Sequence, residues 1–236
     1  MKVNELERFY GKQARIYDFT RKFFLFDRKA AVESLELKPE NRVIDIACGT
    51  GINSIRFSKE GIKVIGIDSS LDMLKIAKNK VSSAQFFYGN FLNFNIPNNV
   101  DSAICFDFST NYILTKKDFK NFLNRVYKCL NANGIFIFDF KPLASFAKEE
   151  KHLNKDFIFD WTCQISNSPI INIGIKIVTK DGGKFEERHV ERGYKIDEIK
   201  NMIAETKFKL VRAYDNCLRT TPNDNSKLVQ IVLRKL

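Results

Sequence analysis

Val43-Ile44-Asp45-Ile46-Ala47-Cys48-Gly49-Thr50-Gly51 is the stretch whose reading decides the fold. The β-branched run Val43, Ile44, Ile46 has the character of a strand buried on both faces. It breaks at Gly49 and Gly51, and a helical stretch follows over about Ile52 to Glu60. Two glycines at such a break let the backbone turn sharply and approach a ligand that a Cβ would keep away. The next strand, Lys63 to Ile67, ends in Asp68, 19 residues past Gly49. A carboxylate at the tip of the neighbouring parallel strand is where a nucleotide ribose presents its hydroxyls. The unit therefore predicts a nucleotide-type ligand site.

The dinucleotide fingerprint has three glycines, and here the third position is Ser54. The acid at the strand end, Asp45, would repel a pyrophosphate and suit a ligand carrying positive charge. Asp45 to Gly51 strongly resembles the first motif of class I S-adenosylmethionine-dependent methyltransferases. Further resemblances follow in chain order. Gly66-Ile67-Asp68-Ser69-Ser70 with Met73, Leu74 and Ala77 is similar to the second motif and its helix. Phe87-Tyr88-Gly89-Asn90-Phe91 is similar to the segment beside adenine, with Asn90 where the family usually has Asp. Val100 to Phe106 resembles the fourth strand, and Leu130 to Asp139 the turn and fifth strand.

The resemblance covers roughly residues 40–140. It implies S-adenosylmethionine as cofactor and S-adenosylhomocysteine as product. Asp45, Ala47, Cys48, Gly49, Thr50, Gly51 and Asn53 would be cofactor-binding, with Gly49 and Gly51 at the methionine part and Asp45 near its amino group. Asp68 would bind the ribose, Asn90 and Phe91 would lie beside adenine, and Ser69, Met73 and Phe106 are further cofactor-binding candidates. Asp107-Phe108-Ser109-Thr110-Asn111-Tyr112 resembles a stretch in a small-molecule branch of the family. Asp107, Ser109, Asn111 and Tyr112 are accordingly substrate candidates, with Asn111 also a catalytic candidate. Helix capping by Ser109 or Thr110 is the alternative reading. Phe9-Tyr10 and Ala14 to Asp18 resemble a helix that closes over the cofactor in that branch. Tyr17 is thus a catalytic candidate and Tyr10 a substrate candidate, with ordinary packing aromatics as the other reading.

The rest of the chain organises around that unit. Apolar and aromatic positions over 4–20 and about 26–37 recur at helical spacing, so residues 1–38 are expected to form a helical cap. Alternating β/α units through Phe140 have the pattern of a doubly wound sheet. From Lys141 the pattern turns to alternating strands around Phe157 to Trp161, Ile171 to Ile177 and Lys184 to Arg192, with a turn at Asp181-Gly182-Gly183. Residues 141–193 are therefore expected to form a small antiparallel β insert serving as a substrate lid. A helix at Ile196 to Thr206 and two closing strands complete the main domain, 39–140 with 194–236. The expected architecture is α/β, a Rossmann-like seven-stranded sheet, mostly parallel with its last strand antiparallel. Alternation puts His189 and Glu191 on one face of their strand and Arg188, Val190 and Arg192 on the other. If the first face meets the cleft, His189 is the best general base and Trp161 a substrate wall. Arg192 is a further substrate candidate. A packed strand histidine and a core tryptophan remain the alternative.

Five scattered cysteines without a paired-cysteine motif argue against a disulfide framework or a metal site, and for a cytoplasmic setting. No segment has the length of a membrane span or the pattern of a secretory signal. The net charge of +11 is spread along 236 residues without a nucleic-acid module, so nucleic acid is not an expected partner. The reading is a methyltransferase acting at nitrogen or oxygen of a small molecule, as a monomer or homodimer. Two rivals stand beside it. One is a lipid or quinone methyltransferase in transient contact with a membrane surface through the aromatic and basic stretch Ile16 to Phe26. The other is a non-catalytic, cofactor-binding regulatory protein.

Overall fold

A computed structural model describes residues 18, 33–94, 99–146, 149–153, 157–164, 168–179, 182–215, 220–223 and 225–236. The helices expected over 4–20 and about 26–37 fall almost wholly outside these residues, as do Tyr10 and Tyr17. Among the described residues no helix is long and apolar enough to cross a membrane.

The chain alternates β1 (Arg42–Ile46), α1 (Ile52–Lys59), β2 (Lys63–Asp68), α2 (Leu71–Lys80), β3 (Gln85–Tyr88), β4 (Val100–Cys105), α3 (Lys116–Cys129) and β5 (Leu130–Phe140). After the insert come α4 (Ile196–Ala204), β10 (Phe208–Asp215) and β11 (Val229–Lys235). The main sheet has the order β10-β11-β5-β4-β1-β2-β3. β11 runs antiparallel to both of its neighbours, and the other pairings are parallel. This is the doubly wound, seven-stranded arrangement that the β/α alternation predicts. Val43, Ile44 and Ile46 are buried because helices cover both faces of the sheet. Two caps start helices as their residue types demand: Ser70 accepts the Met73 N–H and Thr115 accepts the Asp118 N–H. On one face, edge-to-face contacts join Phe119 to Phe138 and to Tyr194, and Phe122 to Phe136. Each such pair adds roughly 0.5–1.5 kcal/mol beyond area burial, and together they lock α3 onto β5.

The insert is a separate sheet of order β6-β7-β8-β9, formed by Glu149–Leu153, Phe157–Gln164, Ile170–Thr179 and Lys184–Arg192. β6 goes beyond the sequence reading: Glu-Glu-Lys-His-Leu carries no apolar alternation, and its pairing with β7 holds it in place. His189 lies opposite Ile173 and Glu191 opposite Ile171, which puts both on the buried face. The backbone of position 161 pairs with Ile175 on the same register.

The two ends of the insert meet at one point. The chain leaving β5 and the chain returning from β9 pair through Pro142 and Tyr194, and Leu143 N–H donates to Tyr194 O at 3.0 Å. Asn111, fully buried in the short 3-10 turn Ser109–Tyr112, bridges both. Its amide nitrogen donates to Lys141 O at 2.9 Å and Arg192 O at 2.8 Å, and its oxygen accepts Lys141 N–H at 2.9 Å. Asn111→Ala leaves three buried backbone groups without this partner, so a loss of about 3 kcal/mol or more is expected in urea unfolding.

Candidate functional site

The order of strands reverses between β1 and β4, and a doubly wound sheet opens its ligand crevice at that point. On the β1–β2 side the backbone takes left-handed conformations at Ala47 (φ 58°), Gly49 (φ 53°) and Gly51 (φ 79°). At Gly51 a Cβ would also stand 3.3 Å from Ala77 Cβ on α2, so a side chain here is both strained and crowded. Asp68 ties the loop to the tip of β2. One carboxylate oxygen accepts Gly49 N–H at 2.8 Å and the other accepts Ser70 N–H at 2.9 Å. Burial pushes the Asp68 carboxyl above its ordinary range, although the N–H groups of Ser70, Gly49 and Ser69 pull the other way.

Ser54 explains the missing third glycine. Its hydroxyl donates to the buried Asp45 carboxylate at 2.6 Å, so the position serves the acid rather than close helix packing. Thr50 is fully buried and its hydroxyl donates to Asp18, whose other oxygen pairs with Lys80 at the end of α2. Cys48 is buried against the two acids, and burial with the Asp68 and Asp45 charges raises its thiol well above the ordinary value. It is therefore an inert wall.

The remaining cofactor candidates divide. Asn53 is half-buried in the first turn of α1. Met73 is buried in the core, and its N–H takes the cap of α2. Asn90 Oδ1 accepts Leu92 N–H at 2.9 Å in a local turn, and Phe91 packs edge-on against Phe122 at 5.4 Å. Phe106 is buried at the end of β4.

On the β4–β5 side Asp107 (φ 67°) and Phe108 (φ 59°) are two consecutive non-glycine residues in the left-handed region. Such a pair is costly unless its surroundings hold it. The fully buried Asp139 does so: its carboxylate accepts Phe108 N–H at 2.7 Å and Asp107 N–H at 3.2 Å. The Thr110 hydroxyl donates to Asp139 O at 2.6 Å. Phe108 occupies the cap position of the turn that Ser109 begins, with no side-chain cap bond. Asp139 was not among the sequence candidates. Its signal was a lone acid in Ile135-Phe136-Ile137-Phe138-Asp139-Phe140.

Tyr112 and His189, far apart in sequence, meet with hydroxyl and Nδ1 2.7 Å apart, and His189 is buried. Arg192 is brought elsewhere. Its guanidinium pairs with Glu198 at 2.8 Å, donates to Leu114 O at 3.3 Å and covers the Tyr194 ring at 5.1 Å. It lines a separate groove of about 640 Å³ with Lys116, Lys195 and Met202.

The residues on the β1–β2 side fit an adenosyl amino-acid cofactor. Left-handed glycines bring the backbone close, and each Asp68 oxygen retains lone-pair capacity for a ribose hydroxyl beside its N–H donor. Residues 43–134 match the family described as "Methyltransferase domain". A protein of Geobacillus sp. (strain WCH70) named as a methyltransferase is 29% identical over 212 residues, 82% of this chain and 84% of that protein. The crystal structure of an S-adenosylmethionine-dependent methyltransferase from Clostridium acetobutylicum superposes with TM-score 0.83 at 22% identity, covering 96% of this chain and 98% of that one. An amino pentose methyltransferase from Micromonospora echinaspora superposes with TM-score 0.67 at 13% identity, covering 96% and 92%. Residues 43–134 thus match a methyltransferase domain, and the fold is the one that S-adenosylmethionine-dependent methyltransferases share.

Two outcomes are expected. Gly51→Val should abolish S-adenosylhomocysteine binding in calorimetry while far-UV circular dichroism stays unchanged. For Asp68 the folded carboxyl titrates above its unfolded value. Its contribution to stability is therefore present at low pH and lost as pH rises through the folded pKa. Wild type should gain on Asp68→Asn as pH falls from about 7 to about 4, checked by urea unfolding at both values.

Proposed function

We propose that this protein transfers a methyl group to nitrogen or oxygen of a small molecule, with the insert as its specificity element. The observation that carries this reading is the 2.7 Å contact between Tyr112 and His189. It couples the turn after β4, which borders the crevice, to β9 of the insert. Residue types suited to proton transfer are thereby joined at the junction of a common scaffold and a grafted element. The amino pentose methyltransferase resemblance supports a small polar acceptor, at the level of the fold.

When bound, the cofactor supplies a methyl group already activated by its sulfonium. The protein's task is then alignment, exclusion of water and removal of one proton if the acceptor arrives protonated. Gly49, Gly51 and Asp68 would hold the nucleoside and methionine parts. Asp45, held by Ser54, would contribute a negative field to the amino group. His189 would accept the proton: with Nδ1–H donating to the Tyr112 hydroxyl, Nε2 carries the acceptor lone pair. Asn111 and Asp139 would act as positioning residues, the first joining the insert to the 3-10 turn and the second shaping the tip of β4. Asp107, Ser109 and Trp161 remain acceptor candidates, as do Tyr10 and Tyr17 from the N-terminal segment. The buried free thiols Cys48, Cys105, Cys129 and Cys163 support a reducing compartment such as the cytoplasm.

His189→Gln and Tyr112→Phe should each leave S-adenosylhomocysteine affinity unchanged. Each should lower methyl release from labelled S-adenosylmethionine, in the presence of a small-metabolite extract, by roughly 10²–10⁴-fold. Wild-type rates in both variants would remove the pair from the chemistry. Cofactor binding by wild type without methyl release would favour the regulatory rival.

A further inference from the structure

Gln230 is the one polar residue in the apolar run Leu228-Val229-Gln230-Ile231-Val232-Leu233. It is 0% exposed, and neither its Oε1 nor its Nε2 has a hydrogen-bond partner among the described residues. Native interiors rarely leave a buried amide so, because desolvating it without a partner costs stability that an apolar side chain of the same size would not. A buried amide left so calls for an explanation other than packing.

Its place in the fold says for what. Gln230 is the cross-strand partner of Asp139 on β5 and of Tyr214 on β10, so the three form one row on one face of the sheet. The row lies at the crevice edge, one residue before the end of β5, and Asp139 in it holds the Asp107–Phe108 tip of β4. The glycine loop and Asp68 occupy the β1–β2 side, which leaves the β4–β5–β11 side for the methyl acceptor. The field there is negative. Beyond burial, which comes first, the charges of Asp139, Asp45, Asp107 and Asp68 all act to raise the buried Cys105 thiol at the end of β4. Asp139 in the row and Asp107 at the tip it holds stand on this side, in a chain of net charge +11.

We propose that Gln230 is the polar recognition residue of the acceptor subsite, and that the acceptor it takes is a small molecule bearing an amine. This rests on the methyltransferase reading above. The amide oxygen accepts an N–H of the amine, the amide nitrogen donates to a neighbouring hydroxyl or ether oxygen, and the carboxylates favour the cationic form on entry. For transfer the amine gives up one proton to the protein base, His189 in the reading above. The amine lone pair then forms the N–CH3 bond as the S–CH3 bond breaks, and that electron pair stays on sulfur.

The test uses the full chain and Gln230→Met, a substitution of similar volume. Three quantities are read: the melting temperature, S-adenosylhomocysteine affinity, and label passed from methyl-labelled S-adenosylmethionine to a bacterial small-metabolite extract. Gln230→Met should melt at or above the wild-type temperature and bind S-adenosylhomocysteine as wild type does. It should also transfer at least about tenfold less label, the loss of one or two hydrogen bonds. The wild-type labelled product should be retained on a cation exchanger at acidic pH. A melting temperature several degrees lower in Gln230→Met would show that the amide has a structural partner, an ordered water included, and would overturn the subsite. Wild-type transfer by the variant, or a labelled product that flows through the exchanger, would overturn it equally. If wild type binds S-adenosylhomocysteine but labels nothing, the methyltransferase reading fails and the subsite falls with it, whereas wild-type transfer by Gln230→Met overturns the subsite alone.

Discussion

A parallel sheet runs out of ladder partners at its C-terminal edge, and backbone N–H groups at the strand tips must find acceptors without closing the crevice. Here the acceptors are carboxylates. Asp68 takes Gly49 N–H and Ser70 N–H, holding the glycine loop to β2. Asp139 takes Asp107 N–H and Phe108 N–H, holding two left-handed residues at the end of β4. A carboxylate suits this task because it accepts from several donors at once, and charge-assisted bonds to backbone N–H are the stronger kind. The same groups make the edge electronegative, which suits a cofactor carrying a sulfonium and an ammonium.

Both halves of the crevice are therefore built on one device used twice. On the β1–β2 side it presents glycine backbone. On the opposite side it presents a tight turn that leads into Asn111 and Tyr112. Asn111 passes the constraint outward, because its amide spans the chain leaving for the insert and the chain coming back. The insert is thus attached to the tip of β4 by side-chain amide and Tyr112–His189 contacts, and not only by its covalent ends. That attachment holds the insert in register with the main sheet.

Much of this was legible in the chain as written. The β-branched run before Gly49, the acid at Asp68 and the periodicity of Phe119, Phe122, Leu123 and Val126 carry information over a few residues. Local patterns of that kind survive in a linear reading. Strands β7, β8 and β9 were legible by alternation, whereas β6 was not, because pairing with β7 rather than its own pattern makes it a strand. Arg192 was a substrate candidate, and the fold turns its guanidinium to Glu198 and Tyr194. Met73 and Phe91 matched motif positions, and the fold also commits both to packing.

The sequence by itself determined the doubly wound sheet, the glycine turn and the acid at the tip of the neighbouring strand, since each depends on neighbours within about one β/α unit. Tertiary structure alone decided which distant polar groups meet: Ser54 with Asp45, Asp139 with the tip of β4, Tyr112 with His189, and Gln230 beside Asp139 without a partner. Those pairings depend on sheet order and cross-strand register. Neither quantity is encoded in the spacing of any one segment, because both arise only when strands far apart in the chain are laid side by side.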